Sequence, residues 1–305
     1  MWNLTADVGF GATFSNNVNS VTKNRLKLEE DSVAAFTSAM HDRTESATLG
    51  ITATRPIGEE SSLLLNFGHT TSNQYQEADD DFQSYGFTIG LDTTLGNQSL
   101  SPYFIVSKTD AQHDADSFSM MVGIGGFFTI GERHSISYGY SYSDSKANHN
   151  SSDTTADETN SIGHSYNFGY DLILTPIISS SLSLGYSDSD AKIDAGNDYE
   201  TYEFGLGLNF AFPWAYIAWS ASTSFNDYKA ADTSVDSTKL RSDHATTTDL
   251  MITKAIGDIF PMIDPNRTLF INLSYEKTFS EANIMNYDYL ADSFAISFSK
   301  GLKLN

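Results

Sequence analysis

The sequence predicts an all-β chain that closes into an antiparallel transmembrane barrel of about fourteen strands. Three observations predict it. Apolar and polar residues alternate in run after run, each long enough for a tilted strand to cross a bilayer. The connections alternate between tight turns and long polar loops, the asymmetry of barrels with periplasmic turns and extracellular loops. No apolar stretch approaches the ~18 residues of a membrane-spanning helix, although hydrophobic residues make up 40% of the chain.

The first run sets the pattern. Trp2, Leu4, Ala6, Val8, Phe10, Ala12 and Phe14 alternate with Asn3, Thr5, Asp7, Gly9, Gly11, Thr13 and Ser15. Successive side chains of a strand point to opposite faces, so one face is apolar and the other polar. The even positions are expected to face lipid and the odd ones the lumen. The run should also pair with the last one, because open edges are not tolerated in a bilayer. A polar stretch, 16–44, follows as a long first loop, either extracellular or inserted in the lumen. If it hides a hairpin the count becomes about sixteen; about twelve is the lower alternative.

The second run, Glu45–Ile57, places Ala47, Leu49, Ile51 and Ala53 on one face and ends in a turn at Gly58–Glu60. Leu63, Leu65 and Phe67 mark the third, and Tyr85, Phe87, Ile89, Leu91 and Leu95 the fourth. Leu100, Phe104 and Val106 mark the fifth, and Phe118 through Ile130 the sixth. The seventh carries Ile136, Tyr138, Tyr140 and Tyr142, then a polar loop to Asn160; the eighth runs from Ile162 to Leu174. The ninth has Ile178, Leu182, Leu184 and Tyr186; the tenth spans Tyr202 to Phe212. The eleventh spans Ala215 to Phe225 and precedes a long loop, Asn226–Ser242. The twelfth is weak, with Leu250, Ile252 and Ile256, and leads into an apolar, proline-containing connection, Gly257–Asn266. Leu269 to Tyr275 and Leu290 to Leu304 complete the set. Trp2, Tyr138, Tyr140, Tyr142, Tyr166, Tyr170, Phe212 and Trp219 are the candidates for aromatic girdles at the membrane interfaces. A soluble sandwich or solenoid would account for the alternation but not for the length of the runs or for aromatic apolar faces.

Composition narrows the function. Lys and Arg number 17 against 39 Asp and Glu, a formal charge of -22, so nucleic acid is not an expected partner. Cysteine is absent, which excludes disulfides, thiol catalysis and thiolate metal sites. The seven histidines are dispersed and form no HExxH spacing, and no GxSxG occurs. His164 next to Ser165 is no more than expected in so Ser-rich a chain. Acidic loops at Asp79–Asp81 and at Asp188, Asp190, Asp194 and Asp198 lack the EF-hand spacing and read as solvated loop ends. No catalytic residue, cofactor or metal site is therefore expected, and the protein is not expected to be an enzyme. No basic-then-apolar leader opens the chain; an exported protein would have lost it, with Met1 added.

The polar faces are lined by small residues: Ser137, Gly139 and Ser141 on the seventh run, Gly205, Gly207 and Asn209 on the tenth. A barrel of this size lined by Ser and Gly should enclose water, a loop or a partner segment. Its charged lining is acidic: Asp7, Asp92, Asp171, Glu203, Asp249 and Glu276, with almost no Lys or Arg. Acidic linings favour cations. Inward aromatics are few and scattered: Tyr103, Phe127, Trp214, Tyr216 and Phe270.

These alternating strands, tight turns and long loops resemble those of bacterial outer-membrane β-barrels of the porin type over nearly the whole chain. Gly9–Ser20, GFGATFSNNVNS, more loosely resembles the first strand of barrels linked to tetratricopeptide repeats, the surface lipoprotein assembly modulators and exopolysaccharide exporters. There Asn16–Asn17–Val18 stands where an acidic residue is usual. The closing alternation of Phe294, Ile296, Phe298, Leu302 and Leu304 resembles an outer-membrane insertion signal without its terminal aromatic. The resemblance implies residence in the outer membrane, with lipid and lipopolysaccharide as partners and a periplasmic or lumen-filling protein as a further one. The expected function is a water-filled conduit with weak cation preference. The alternatives are the membrane barrel of a polysaccharide or protein export system, and a structural or adhesive surface barrel. The whole chain, 1–305, is expected to be one domain.

Overall fold

The computed structural model describes residues 2–15, 42–74, 81–111, 116–148, 160–192, 198–231, 238–283 and 289–303. The first loop expected at 16–44 lies outside them, apart from its last three residues, which belong to a strand. So do Asn16–Asn17–Val18.

Fourteen strands form one closed sheet. They are β1 (Asn3–Ser15), β2 (Asp42–Ile57), β3 (Ser61–Gln74), β4 (Phe82–Leu95), β5 (Gln98–Ala111), β6 (Asp116–Ile130) and β7 (His134–Asn148). They continue as β8 (Ser161–Thr175), β9 (Ile178–Ala191), β10 (Tyr199–Ala211), β11 (Tyr216–Tyr228), β12 (Ser242–Ala255), β13 (Leu269–Ala282) and β14 (Tyr289–Lys303). Every strand pairs antiparallel with its sequence neighbours, and β1 closes the ring on β14, with Phe10 opposite Phe298 and Ala12 opposite Ile296. A ladder without free edges satisfies every strand's backbone groups, which hydrocarbon demands.

The register keeps one set of alternate residues on the outer face of every ladder, polar near the strand ends and apolar between them. Starting from Phe10, lateral partners run to Ala47, Thr71 and Gln83 on one side and to Phe298, Ile271 and Lys254 on the other. Lower on the same face, Val8, Leu49, Ile51, Phe67, Phe87, Val106, Met120 and Val122 follow one another across β1 to β6. These apolar side chains are not packed into a core. Among the described residues only Ala6 and Ala215 are buried apolar residues, whereas Phe10 is 60% exposed. A soluble protein of this length would bury Leu, Ile and Phe. Here they form a continuous outer surface, which suits lipid rather than water.

Several strands are longer than their apolar alternation. β7 runs on to Asn148 and β11 to Tyr228, where polar loops were expected, and the weak twelfth run is a full strand. On its outer face His244, Thr246 and Thr248 stand level with Phe225, Thr223 and Ala221. Backbone pairing continues past the bilayer, where outward side chains no longer need to be apolar, so hydropathy alternation ends before the ladder does. On β14 the charges Asp292 and Lys300 bracket Phe294, Ile296 and Phe298 on this face. Eight residues of strand span roughly 26 Å, and tilt reduces that to about the height of a hydrocarbon band.

At the short-turn end, Gly58, Gly96 and Gly131 adopt φ of 77°, 64° and 65°, a region open to glycine at little cost. The β12–β13 connection departs from this economy. Ile256–Asp258 makes one 3-10 turn, and the chain then folds on itself. The Phe260 N–H donates to the Ile256 carbonyl at 2.8 Å, and that of Ile263 to the Phe260 carbonyl at 3.0 Å. The Asp264 carboxylate is buried and accepts the Leu269 N–H at 2.8 Å and the Thr268 hydroxyl at 3.1 Å. Ile256, expected in a strand, belongs to this turn. A β-carbon on Gly257 would stand 2.1 Å from the Asp264 carbonyl oxygen. Gly257→Ala is therefore expected to spring the connection while leaving the ladder intact, read as faster amide exchange confined to residues 256–269.

The Asp264 carboxyl is held below the usual carboxylate range, first by the Leu269 N–H and then by the backbone at Thr268. A depressed native pKa stabilises the connection above the usual carboxylate pKa, and that support is lost as pH falls through the depressed value. Asp264→Asn is expected to loosen the same residues at neutral pH and to remove the acid-dependent part of their exchange.

Candidate functional site

The candidate site is the inner wall. Alternation puts the face opposite Phe10 and Ile296 inside the ring, and the small residues lie there. Ser137 meets Gly169, Gly139 meets Asn167, and Ser183 of β9 meets Gly205 of β10. Polar groups on this face bond to one another across strands. The Asn66 amide donates to the Thr52 hydroxyl at 2.8 Å, Ser107 and Ser119 share a bond of 2.7 Å, and Thr253 donates to Asn272 Oδ1 at 2.8 Å. The wall is thus polar, short-chained and internally tied.

All six acidic candidates share this face. Asp7 lies between Gly50 and Gly301, Asp92 opposite Ser62, and Asp171 opposite Ser135, whose hydroxyl donates to it at 3.4 Å. Glu203 lies beside Gly185 and Ser224. Only Asp249 and Glu276 are brought together, as direct partners of β12 and β13. The other four occupy separate strands at different heights, so they line a wall rather than form a ring. On the same face Lys303, opposite Thr5, adds a cation at the short-turn end.

Tyr103, Phe127, Tyr216 and Phe270 also take inner positions, opposite Gly123, Ser137, Ala211 and Ala255. The Tyr103 ring end fills the space beside Gly123, and the Tyr216 hydroxyl donates to Asn209 at 2.7 Å. Trp214 does not belong to this set; it lies in the β10–β11 turn and stacks on Phe212 at 5.5 Å.

Of the girdle candidates, Tyr138, Tyr140 and Tyr142 stand on the outer face opposite Phe168, Tyr166 and His164. Tyr170 lies opposite Ile136, and Trp219 between Leu208 and Leu250. Phe212 follows β10 and continues the line of Phe210, while Trp2 precedes β1 with the Arg55 guanidinium 5.8 Å from its ring. The described histidines all sit on this outer face beside an aromatic: His69 stacks on Tyr85 at 4.7 Å and His244 on Phe225 at 4.5 Å. The Tyr140 hydroxyl lies 3.0 Å from His164 Nδ1, and that of Tyr170 lies 2.7 Å from His134 Nδ1. His164 therefore points away from Ser165, which is on the inner face.

The acidic loops have structural duties where they are described. Asp81 accepts the Gln74 N–H at 2.6 Å and Asp198 the Ala191 N–H at 2.5 Å, each closing the base of a loop. Asp188 and Asp190 both hold the Lys229 ammonium at 2.6 Å, which raises that amine's pKa above its ordinary value. Among the described residues no three His, Asp or Glu side chains converge as a metal site.

One feature escaped the sequence pattern. At the long-loop end of the inner face, Tyr199 and Tyr228 pair with ring centroids 5.4 Å apart. The Arg241 guanidinium stands 4.6 Å from the Tyr228 ring and binds the buried Asp243 at 2.5 Å. Counting back by twos from Glu203 reaches Tyr199. The polar sequence around it masked that signal.

No protein-family model matches the sequence, and no curated protein matches it. Solved structures do match in shape. An OmpT loop-deletion mutant, an outer membrane protein of Vibrio cholerae, superposes with a TM-score of 0.51 over 99% of both chains at 8% identity. OccAB3 of Acinetobacter baumannii gives 0.50 over 99% of both chains, also at 8% identity. The COG4313 outer membrane channel of Pseudomonas putida F1 gives 0.50 over 98% of this chain and 96% of its own, at 9%. The chain has the fold of a bacterial outer-membrane β-barrel. In outer-membrane barrels of this fold the short turns are periplasmic and the long loops extracellular. The apolar face built up above is the one that meets lipid.

Proposed function

We propose that this barrel is a passive transport conduit of the outer membrane, a water-filled channel with weak preference for cations. The observation that carries the proposal is the inner wall of a closed fourteen-strand ring, lined by Ser, Thr and Gly and charged mainly by Asp and Glu. Eight strands suffice to fill a barrel with side chains, and sixteen leave an aqueous channel. Fourteen strands with short inner side chains lie near the second case. Carboxylates facing water in a low-dielectric wall attract cations and repel anions. The likeness to an outer membrane channel supports the same reading.

The aromatic residues of the outer face serve as the interfacial girdle in this proposal, with outer-membrane phospholipid and lipopolysaccharide as the surrounding partners. The test is reconstitution of the purified chain in a planar bilayer. Discrete conductance steps and a reversal potential displaced toward the cation's equilibrium value under a salt gradient are expected. Anion selectivity would refute the preference. A silent barrel would refute the open channel and favour an export barrel or a surface protein.

A further inference from the structure

Among the described residues, the β12–β13 connection carries a large apolar surface that the barrel wall does not explain. Ile259, Phe260, Met262 and Ile263 are 52%, 55%, 98% and 68% exposed. They are displayed on a turn that is already ordered by its own hydrogen bonds and by buried Asp264. Solvated loops rarely spend four large apolar side chains in this way.

Its position is set by Lys254. That residue lies on the lipid-facing side of β12, between Ile252 and the rim, opposite Ile271. Its ammonium reaches the Asp258 carboxylate at 3.6 Å and also donates to the Trp214 carbonyl. Asp258 in turn holds Arg267 Nε at 2.9 Å. The connection is therefore tied to the outer side of the rim, beside the β10–β11 turn. In that turn Phe210, Phe212 and Trp214 stack in sequence, with centroids 6.0 and 5.5 Å apart and planes within 9°. Phe210 belongs to the lipid-facing side, opposite Ile217, so the stack carries that apolar face down to the rim. Lys300, on the same side and opposite Leu269, adds a cation next to the connection, with Arg267 70% exposed in its side chain.

We infer that the β12–β13 connection is a membrane anchor: its apolar knuckle enters the periplasmic leaflet, with Arg267 and Lys300 at the level of the phospholipid phosphates. Continuity with the lipid-facing wall selects lipid over a soluble partner, and apolar tips with flanking cations are the combination that an interface holds. The inference does not depend on whether the barrel conducts.

The chain has no cysteine, so Met262→Cys gives a single site for a nitroxide label. Met262 is so exposed that the change leaves the fold undisturbed; Ile263→Cys serves as a second site. The labelled barrel is reconstituted in vesicles of phosphatidylethanolamine and phosphatidylglycerol. Collision with oxygen is compared with collision with a water-soluble nickel chelate. Leu273→Cys at mid-strand and Glu59→Cys in the β2–β3 turn supply the lipid and water references. The expected result is an oxygen-to-nickel ratio at both sites several-fold above that of Glu59→Cys and on the side of Leu273→Cys. A ratio equal to that of Glu59→Cys overturns the inference. So does protection from both reagents that disappears on dilution with lipid, which would identify a second copy as the occupant.

Discussion

Leu273→Arg is expected to prevent stable insertion of the barrel, while Ser274→Arg, one residue later, leaves it folded. Leu273 lies on the lipid-facing side of β13 between Ile252 and Ile296, midway along the stretch that Asp292 and Lys300 bracket on β14. A guanidinium at that depth has no water and no counter-ion, and costs about 2–4 kcal/mol near the bilayer midplane. Ser274 points the other way, between Met251 and Ala295, where the guanidinium meets the polar wall. The measurement is the fraction of protein that keeps its folded, heat-sensitive electrophoretic mobility after refolding into lipid. Equal loss in both variants would contradict the assignment of faces. Equal tolerance would contradict the membrane reading itself.

Replacing the neighbouring pair Asp249 and Glu276 by Asn and Gln is expected to abolish most of the cation preference. These are the acidic candidates that the ladder brings into direct partnership, so their fields add, whereas those of Asp7, Asp92, Asp171 and Glu203 act from separate strands. The change removes charge at nearly constant volume, so conductance at high salt should stay within about a factor of two while the cation-to-anion permeability ratio falls toward unity; carboxylate fields weaken beyond a Debye length of about 10 Å at 0.1 M salt. Asp92→Asn alone, far toward the turns, should change the ratio much less. Bi-ionic reversal potentials give both numbers. An unchanged ratio in the double variant would exclude the lining as the source of selectivity.

Much of this was legible in the chain, for a physical reason. A strand with lipid on one side and water on the other must alternate at every step, so Trp2 to Phe14 already contains the faces of β1, and Phe294 to Leu302 those of β14. Their pairing followed from the need to leave no edge. What hid were the places where that demand lapses. Beyond Tyr142 the outer face of β7 turns to Asp144 and Lys146, and the strand goes on by backbone pairing alone. In β12, threonines take the outer positions above Leu250. The Tyr199–Tyr228–Arg241–Asp243 cluster joins three strand ends and a loop that are apart in sequence, and Trp214 takes no inner position because a turn has no period of two. The ordered β12–β13 connection showed as apolar and proline-containing, but its hydrogen-bonded shape depends on Gly257 and Asp264 meeting, which no periodicity announces.

The seam between β1 and β14 has a consequence for the history of each molecule. Thr5 is paired with Lys303 and Ser15 with Ser293, so the first strand made is matched with the last. Every other ladder joins consecutive strands and can form locally. Until the ring closes, the free edge of β1 is a row of unsatisfied donors and acceptors, the template on which strands from other chains could stack. Closing the ring carries the entropy of joining ends nearly a full chain apart, and contacts of such range form slowly. Assembly is therefore expected to end in a single late event, with the thirteen local pairings waiting on one zipper.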